Sequence, residues 1–492
     1  MYYKALMLDL DDTLYSYETC HRLALNRALK ECSLEVYVSV YDEARCKVKR
    51  ETSGSHNKCL YFKVMCETLG LPLETVIQLT DVYWRTFYSI MEPYPGVLEF
   101  MRWHKDLGIP ICIITNYQTE HQLRKLEVLG LLPYVHSLIT SEDVGVNKPD
   151  SKIFLTALAR LGTNPLECMM IGDDHMADMV GASSVGIGLI HHATEGWDWA
   201  DLLVTLQGHR ALLLEFQGLC KYCGARKDLV QAGGGNISVK LGGGLMAIKA
   251  SGLALGQVTD SSGYVLLKDG RVVAGLGRAS IETEMHQRID DTFVIHLHPP
   301  SVINVGPADF NRMFPHAHIL PYIKPGPELA KRVPPAGGII YLQNHGLVIS
   351  GSSEVEVRQC LDSICARDSG ISDVSDIVRS HPGGECYMAQ LCGPYRPSRH
   401  LVTPDAAVYC GYILENLTPS ALGCYIATYG TWPSMVTYRG SIYTIATTPQ
   451  RCQDIEDVYR SSLECQNCQT LDPEDIADLL NWDAEKYRKR LS

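Results

Sequence analysis

Along the first 207 residues, short apolar runs alternate with longer amphipathic stretches. The runs fall at 5–10, 109–115, 137–140, 168–171 and 187–189, each of strand length. That alternation predicts an α/β domain built on a parallel sheet. Residues 15–90 interrupt it with helical patterns and no strand run, which predicts an inserted helical cap; Pro93-Tyr94-Pro95-Gly96 is the turn that returns the chain to the sheet. Beyond residue 207 the pattern changes. A helical stretch at 211–222 leads into Gly233-Gly234-Gly235-Asn236, followed by strand-like pieces joined at Gly242-Gly243-Gly244 and at Lys268-Asp269-Gly270, both hairpin connections. A second, mainly antiparallel α/β domain is expected there. The seam is placed near 191–199, giving domains at 1–207 and 208–492; no internal repeat of fixed period is present.

Composition narrows the function more than the fold. With 492 residues, 46% apolar and 20% charged, the chain is an ordinary multidomain globular sequence. A net charge of −12 speaks against wrapping nucleic acid or lying on an anionic membrane, and an anionic small substrate would need a locally positive pocket or a metal. No leader pattern and no membrane-length apolar window is found. The 18 cysteines, among them Cys112, Cys168 and Cys452, read as buried reduced thiols, and the chain is expected in the cytoplasm. The pairs Cys220/Cys223 and Cys465/Cys468 lie too far apart in sequence to read as one zinc site, and the sequon Asn416-Leu417-Thr418 has no meaning in that compartment.

Candidate chemistry begins where the first strand ends, at Asp9-Leu10-Asp11-Asp12-Thr13-Leu14. Period-two alternation puts Asp9 and Asp11 on one side, at the strand end where open α/β sheets keep their sites. Three carboxylates in four positions call for a cation, and a hard ion such as Mg²⁺ suits oxygen donors. A second strand ends in Thr115-Asn116, Lys148 precedes Pro149-Asp150, and a further strand ends in Gly172-Asp173-Asp174, with Asp178 one turn on.

These four motifs, in this order and spacing, resemble the haloacid dehalogenase superfamily of phosphatases, over residues 1–207. The resemblance implies a Rossmann-like domain in which Asp9 is a nucleophile forming an aspartyl-phosphate and Asp11 is the acid/base for the leaving alcohol. It implies that Thr115 and Lys148 hold the phosphoryl oxygens, with Asn116 beside them. It further implies Mg²⁺ on Asp9, Asp11 (through its carbonyl) and Asp173, with Asp174 or Asp178 as a further donor. An anionic nucleophile meets a phosphate only where such cations screen the repulsion.

In the second half, Ile295-His296-Leu297-His298 sets two imidazoles at period two, on one face of a strand. Gln343-Asn344-His345-Gly346-Leu347 offers a third after another apolar strand. Three histidines with an open fourth position form the ligand set of a catalytic zinc. Ser280-Ile281-Glu282 opens a helix from which Glu282 faces that metal, while His286, one turn on, is expected to be structural. Gly233–Asn236 and Ala250-Ser251-Gly252 offer backbone amides and short hydroxyls to a phosphate. The pair His316/His318 sits between prolines with no long strand before it and is set aside.

This half resembles the class II aldolases, of the rhamnulose- and fuculose-phosphate kind, through residues 229–240, 248–252, Ser280–Glu282, His296-Leu297-His298-Pro299, Asn344-His345-Gly346 and the tail at 479–488. The resemblance implies Zn²⁺ on His296, His298 and His345. Substrate phosphate would lie on Asn236, Ser251, Gly252 and Ser280, with Glu282 as acid/base, its pKa raised toward neutrality by burial. Ile281 stands where fuculose-type enzymes carry a second serine, so the phosphate grip is differently built. The fold also hosts epimerases, which carry Asp where this chain has Glu282, dehydratases, and adducin-like assembly modules that lack the histidines.

Two sites in one chain predict a bifunctional enzyme of carbohydrate metabolism. One would be an Mg²⁺-dependent phosphomonoesterase. The other would be a Zn²⁺-dependent lyase splitting a ketose 1-phosphate into dihydroxyacetone phosphate and an aldehyde. The alternatives are an epimerase or dehydratase in the second half, or a non-catalytic assembly module carrying an active phosphatase. The expected partners are small phosphorylated sugars, and the resemblance implies a homotetramer.

Overall fold

In the first part of the chain, short strands whose central members β1, β2 and β4 are buried at every position form a parallel sheet. The structure is a computed structural model and describes residues 1–51, 56–194, 197–259, 261–303, 305–365, 387–390, 405–415, 424–425, 427–429, 433–438, 441–446, 448–464 and 471–481. Strands β1 (Ala5–Leu8), β2 (Ile111–Thr115), β3 (Ser137–Thr140), β4 (Cys168–Gly172) and β5 (Leu189–His192) form a parallel sheet in the order β3-β2-β1-β4-β5. On one face Met7, Ile114, Ile139 and Met170 pack with Ile153, Phe154 and Ala157 of the helix Ser151–Leu161. Four strands differ slightly from expectation, β4 by running one residue further, to Gly172. β1 ends at Leu8, and beyond it the chain turns, with the Leu14 N–H bonded to the Leu10 carbonyl and Asp12 at a positive φ of 61°. β2 starts after Pro110, which has no N–H for the ladder. β5 starts at Leu189 because the Ile187 N–H is still bonded to the Ala182 carbonyl in the turn that ends the preceding helix.

Between β1 and β2 lie the helices Tyr17–Glu31, Val38–Glu51, Lys58–Leu69 and Leu73–Ser89. Ser16 caps the first through the Thr19 N–H, Asn57 caps the third through the Leu60 N–H, and Gly70 ends that helix with a φ of 67°. Their common core is aromatic: Tyr41, Tyr61, Phe62, Tyr83 and Phe87 are all buried.

By its contacts the chain divides into Met1–Gly208 and His209–Ser492, the division falling inside the helix Trp199–Gly224. The second unit holds an eight-stranded sheet of β6 (Asn236–Gly242), β7 (Leu245–Lys249), β8 (Tyr264–Lys268), β9 (Arg271–Ala274), β10 (Phe293–Leu297), β11 (His318–Leu320), β12 (Ile339–Leu342) and β13 (Gly346–Gly351). The order is β11-β12-β13-β10-β6-β7-β8-β9, antiparallel apart from the β11–β12 pair. β6 and β7 are joined through Gly242–Gly244, and β8 and β9 through Asp269-Gly270, whose two positive φ angles suit the tight hairpin turn. A small antiparallel sheet follows: β14 (Tyr387–Gln390), β15 (Met435–Tyr438) and β16 (Ser441–Ala446). Cys112, Cys168, Cys220 and Cys223 are buried and form no disulfide. Cys465/Cys468, the Cys452 side chain, the sequon at 416–418 and the tail beyond 481 lie outside the described residues. Among the described residues no helix is long and apolar enough to cross a membrane.

Candidate active sites

The first site lies at the carboxyl ends of β1, β2 and β4. The Asp9 N–H donates to the Ile171 carbonyl at 3.0 Å, so the residue after β1 stays registered against β4. This brings Asp9 together with Asp173 and Asp178, whose carboxylate oxygens lie within 4.8 Å of one another. Gly172 makes room for the third: a Cβ there would stand 2.4 Å from Asp178 Oδ2. The Thr13 hydroxyl lies within hydrogen-bond distance of Asp9 Oδ2 and Asp173 Oδ1, at 3.1 and 3.0 Å. Lys148, which is buried, pairs its ammonium with Asp9 at 2.5 Å and Asp178 at 2.6 Å, and donates to the Ile114 carbonyl at 3.0 Å. Asn116 fixes the loop that carries it, accepting from the Lys148 N–H and donating to the Lys148 carbonyl.

The charges at this cluster do not balance. Burial pushes the Asp9 carboxyl well above its usual range, and Asp178, Asp173 and Asp11 push the same way, while Lys148 opposes. Burial acts downward on Lys148, but Asp178 and Asp9 outweigh it and hold the ammonium charged. Three carboxylates, two of them buried, around one lysine leave a surplus of negative charge, and three converging oxygens suit a hard divalent cation.

Asp11 stands apart from that group. Its carboxylate faces Lys125, at 2.7 and 3.0 Å, and accepts from the Tyr15 hydroxyl at 2.5 Å and from Gln122 Nε2 at 3.2 Å. Burial raises its pKa, but the Lys125 ammonium and these hydrogen bonds outweigh it, so the net shift is downward. Gln122 also donates to the Thr115 hydroxyl at 2.5 Å, linking Asp11 to the end of β2. Gln122 and Lys125 come from the buried face of the helix Thr119–Val128. Neither stood out in the sequence, where the signal available was a lysine on a face shared with Leu126. Above the carboxylates lies a cavity of about 300 Å³, lined by Asp9, Asp11, Asp12, Thr115, Asn116, Lys148, Asp173, Asp174 and Asp178, and by cap residues.

The second site spans three strands' ends. His296 lies on β10, His298 just past it, and His345 in the turn before β13. The Nε2 atoms of His298 and His345 are 3.0 and 3.1 Å from His296 Nε2. Gly346 permits this approach, since a Cβ there would stand 2.3 Å from the Leu297 carbonyl oxygen and 2.8 Å from the His298 ring. Glu282, the residue before the helix Thr283–Arg288, brings Oε1 to 3.4 Å from His296 and 3.3 Å from His345. That oxygen is buried with no hydrogen-bond donor, while Oε2 accepts from Asn236 Nδ2 at 2.7 Å.

Outer partners set the rings. The Leu347 carbonyl lies 3.2 Å from His296 Nδ1, and the Asp405 carboxylate binds His298 Nδ1, so both rings turn Nε2 inward. Three imidazole nitrogens converging beside a carboxylate oxygen without a donor fit a zinc ion. Burial acts upward on Glu282, yet His296 and His345 outweigh it and hold the carboxyl well below its usual range. This is opposite to the direction expected from burial alone. His286 bonds Ser238 Oγ and Asn236 Oδ1, outside the three-histidine cluster, and burial lowers its pKa to about 3. His318 is exposed on the edge strand β11.

Asn236, Ser251, Gly252 and Ser280 line one small cavity with Gly233, Lys249, Ile281, Glu282 and His298. Its volume is about 20 Å³, room for one water. Lys249 donates to the Gly233 and Leu253 carbonyls and so holds the glycine loop. Sequence reading gave no role to Lys249 or Asp405; Asp405 lies 107 residues from His298 and belongs to no motif.

Residues 3–186 match the haloacid dehalogenase-like hydrolase family, and residues 214–363 match the Class II Aldolase and Adducin N-terminal domain. The chain is 39% identical over 195 residues to ribulose-1,5-bisphosphate 5-phosphatase of Halopiger xanaduensis, a match covering 37% of this chain and 82% of that protein. It is 32% identical over 193 residues to glyceraldehyde 3-phosphate phosphatase of Methanopyrus kandleri, covering 37% and 81%. Among solved structures, the N-terminal class II aldolase domain of a conserved protein from Thermoplasma acidophilum is 25% identical, covering 31% of this chain and 90% of that one with a TM-score of 0.28.

Proposed function

Because the chain belongs to the haloacid dehalogenase-like hydrolases and joins to that domain a class II aldolase domain, we propose that it is a bifunctional enzyme. One site would hydrolyse a small sugar phosphate, and the other would cleave a ketose phosphate. The observation that carries the first activity is the Lys148 ammonium set between Asp9 and Asp178, with Asp173 beside them. The relatives named for ribulose bisphosphate and glyceraldehyde 3-phosphate support small phosphorylated sugars as the substrate class.

At the first site Asp9, Asp173 and Asp178, with the Asp11 carbonyl, would hold Mg²⁺, which supplies screening of phosphate charge when bound. Asp9 attacks phosphorus and forms an aspartyl-phosphate as the P–O bond to the alcohol breaks. Lys148 and Thr115 hold the phosphoryl oxygens. Asp11 gives a proton to the leaving alkoxide, then takes one from the water that hydrolyses the aspartyl-phosphate, so its protons balance over the cycle. Lys125 favours the carboxylate form of Asp11 and therefore helps the second half.

At the other site His296, His298 and His345 would hold Zn²⁺, which when bound polarises a carbonyl and steadies the negative charge left as the C3–C4 bond breaks. Glu282 Oε1 takes the hydroxyl proton and returns it to carbon. Asn236 holds the other oxygen of Glu282, and Ser251, Gly252 and Ser280 receive the substrate phosphate. Assembly as a homotetramer and a shared metabolite between the two activities complete this reading.

A second reading, an assembly module of the adducin kind, is favoured by one observation: the cavity beside Glu282 has room for only one water. Assays on the full chain separate the readings. Phosphate should be released from sugar phosphates with Mg²⁺, and aldehyde from ketose 1-phosphates after zinc loading. Failure to release phosphate from any ester contradicts the first activity. Failure of the zinc-loaded chain to yield aldehyde contradicts the second, and failure also to epimerise or dehydrate the same sugar phosphates leaves the assembly reading.

A further inference from the structure

The part of the 300 Å³ cavity's lining that the cap supplies is basic. Its cations are Arg45 and Lys49, one turn apart on the helix Val38–Glu51, and Lys58, which opens the helix Lys58–Leu69. Lys58 is only 4% exposed. Its ammonium lies 5.3 Å from the ring centres of Tyr17 and Tyr61 and 5.9 Å from that of Tyr83. Tyr17 and Tyr61 line the cavity with it. Among the described residues none of the three cations has a carboxylate partner.

A buried ammonium without an anion is costly, and tyrosine faces return only part of its hydration. Burial, and then the charges of Arg45, Lys125 and Lys49, press the Lys58 pKa well below its usual value. Three like charges gathered on one wall are destabilising until an anion joins them. In the reading above the scissile phosphate is held by Lys148 and Thr115, which belong to the sheet part of the domain and not to the cap, so the cap cations are left for another anion.

We propose that Arg45, Lys49 and Lys58 form a subsite for a second anionic group, so that the hydrolase substrate is a small phosphate ester carrying a second phosphate or a carboxylate at its far end. This deepens the proposed hydrolase activity and rests on it for the orientation of the substrate. The net charge of −12 makes the subsite more informative, because the cations are concentrated where the chain as a whole repels anions.

The test uses the full chain and non-hydrolysable probes. A five-carbon bisphosphonate, the matching monophosphonate and the matching phosphonate-carboxylate are titrated by calorimetry into wild type and into Lys58→Met and Arg45→Met. Wild type should bind either doubly anionic probe at least about tenfold more tightly than the monophosphonate, the scale of one charge-assisted contact. The stronger of the two names the second anion. Each substitution should cut that preference by about tenfold. Lys58→Met replaces a buried cation by an apolar chain of similar length, and Arg45→Met tests the same wall at a half-exposed position, so a folding defect in one leaves the other to decide. Equal affinity of wild type for all three probes, or a preference that survives both substitutions, overturns the subsite. Phosphate release from the corresponding esters is scored separately: a chain that hydrolyses none but keeps the binding preference refutes the hydrolase reading and retains the subsite.

Discussion

In the N-terminal site the converging donors are carboxylates, screened by Lys148 and opened onto a cavity of about 300 Å³. In the C-terminal site they are imidazoles, joined by one carboxylate, and beside them Glu282 and His298 line a cavity of only about 20 Å³. The first arrangement carries excess charge and free volume, which suits a hard ion and an anionic substrate that enters and leaves. The second uses imidazole donors oriented by outer partners such as Asp405 and the Leu347 carbonyl, which suits a tightly held zinc. The contrast teaches that burial alone does not decide how a metal site is built. Charge balance and room do.

Substitutions should separate the two. The largest expected effect is Asp9→Asn, which removes the proposed nucleophile and should lower phosphatase kcat by about four orders of magnitude or more. Zinc content should stay at its wild-type level, and a parallel loss of zinc would break the contrast.

A medium effect lies in the supporting core of the first unit. His104 is fully buried, its Nε2 2.7 Å from the Tyr3 hydroxyl and its Nδ1 2.8 Å from the Phe100 carbonyl, and burial lowers its pKa from 6.5 to about 4. A depressed folded value means the unfolded chain binds the proton first as pH falls. The stability is therefore present above pH 6.5 and is lost between about 6.5 and 4. The loss should reach about 3 kcal/mol. Urea unfolding of wild type against His104→Gln checks this. The stability difference between them should shrink by that amount from pH 7 to pH 4, and a constant difference would refute it.

The smallest effect tests the outer shell of the histidine site. Asp405→Asn should weaken zinc binding by about 10- to 100-fold with little change in phosphatase activity. Competition with a chelator reads it, and unchanged affinity would remove Asp405 from the account.

The sequence made legible whatever was local. The short apolar runs announced the strands of the parallel sheet, Asp9, Asp173 and His298 followed strand ends directly, and His296 lay at period two from His298. His345 was marked by its neighbour Gly346, whose close approach to Leu297 needs a missing side chain. What escaped was set by contacts between distant segments. Lys125 meets Asp11 across 114 residues and lies on an amphipathic helix, where a lysine reads as solvated. Arg45 and Lys49 at helical spacing likewise resemble an exposed face, and only the closing of the cap against the sheet turns them inward. The direction of the Glu282 shift was missed for the same reason, since burial was legible but the two imidazoles facing its Oε1 were not.

The most direct test of two metal sites of different character in one chain is elemental analysis of wild type and His296→Ala, both purified without added metal. Wild type should carry about one zinc per chain. His296→Ala should carry none, and its Mg²⁺-dependent phosphatase activity should match wild type. A wild-type chain that holds no zinc and cannot be loaded with it, or a variant that keeps its zinc, would contradict the account.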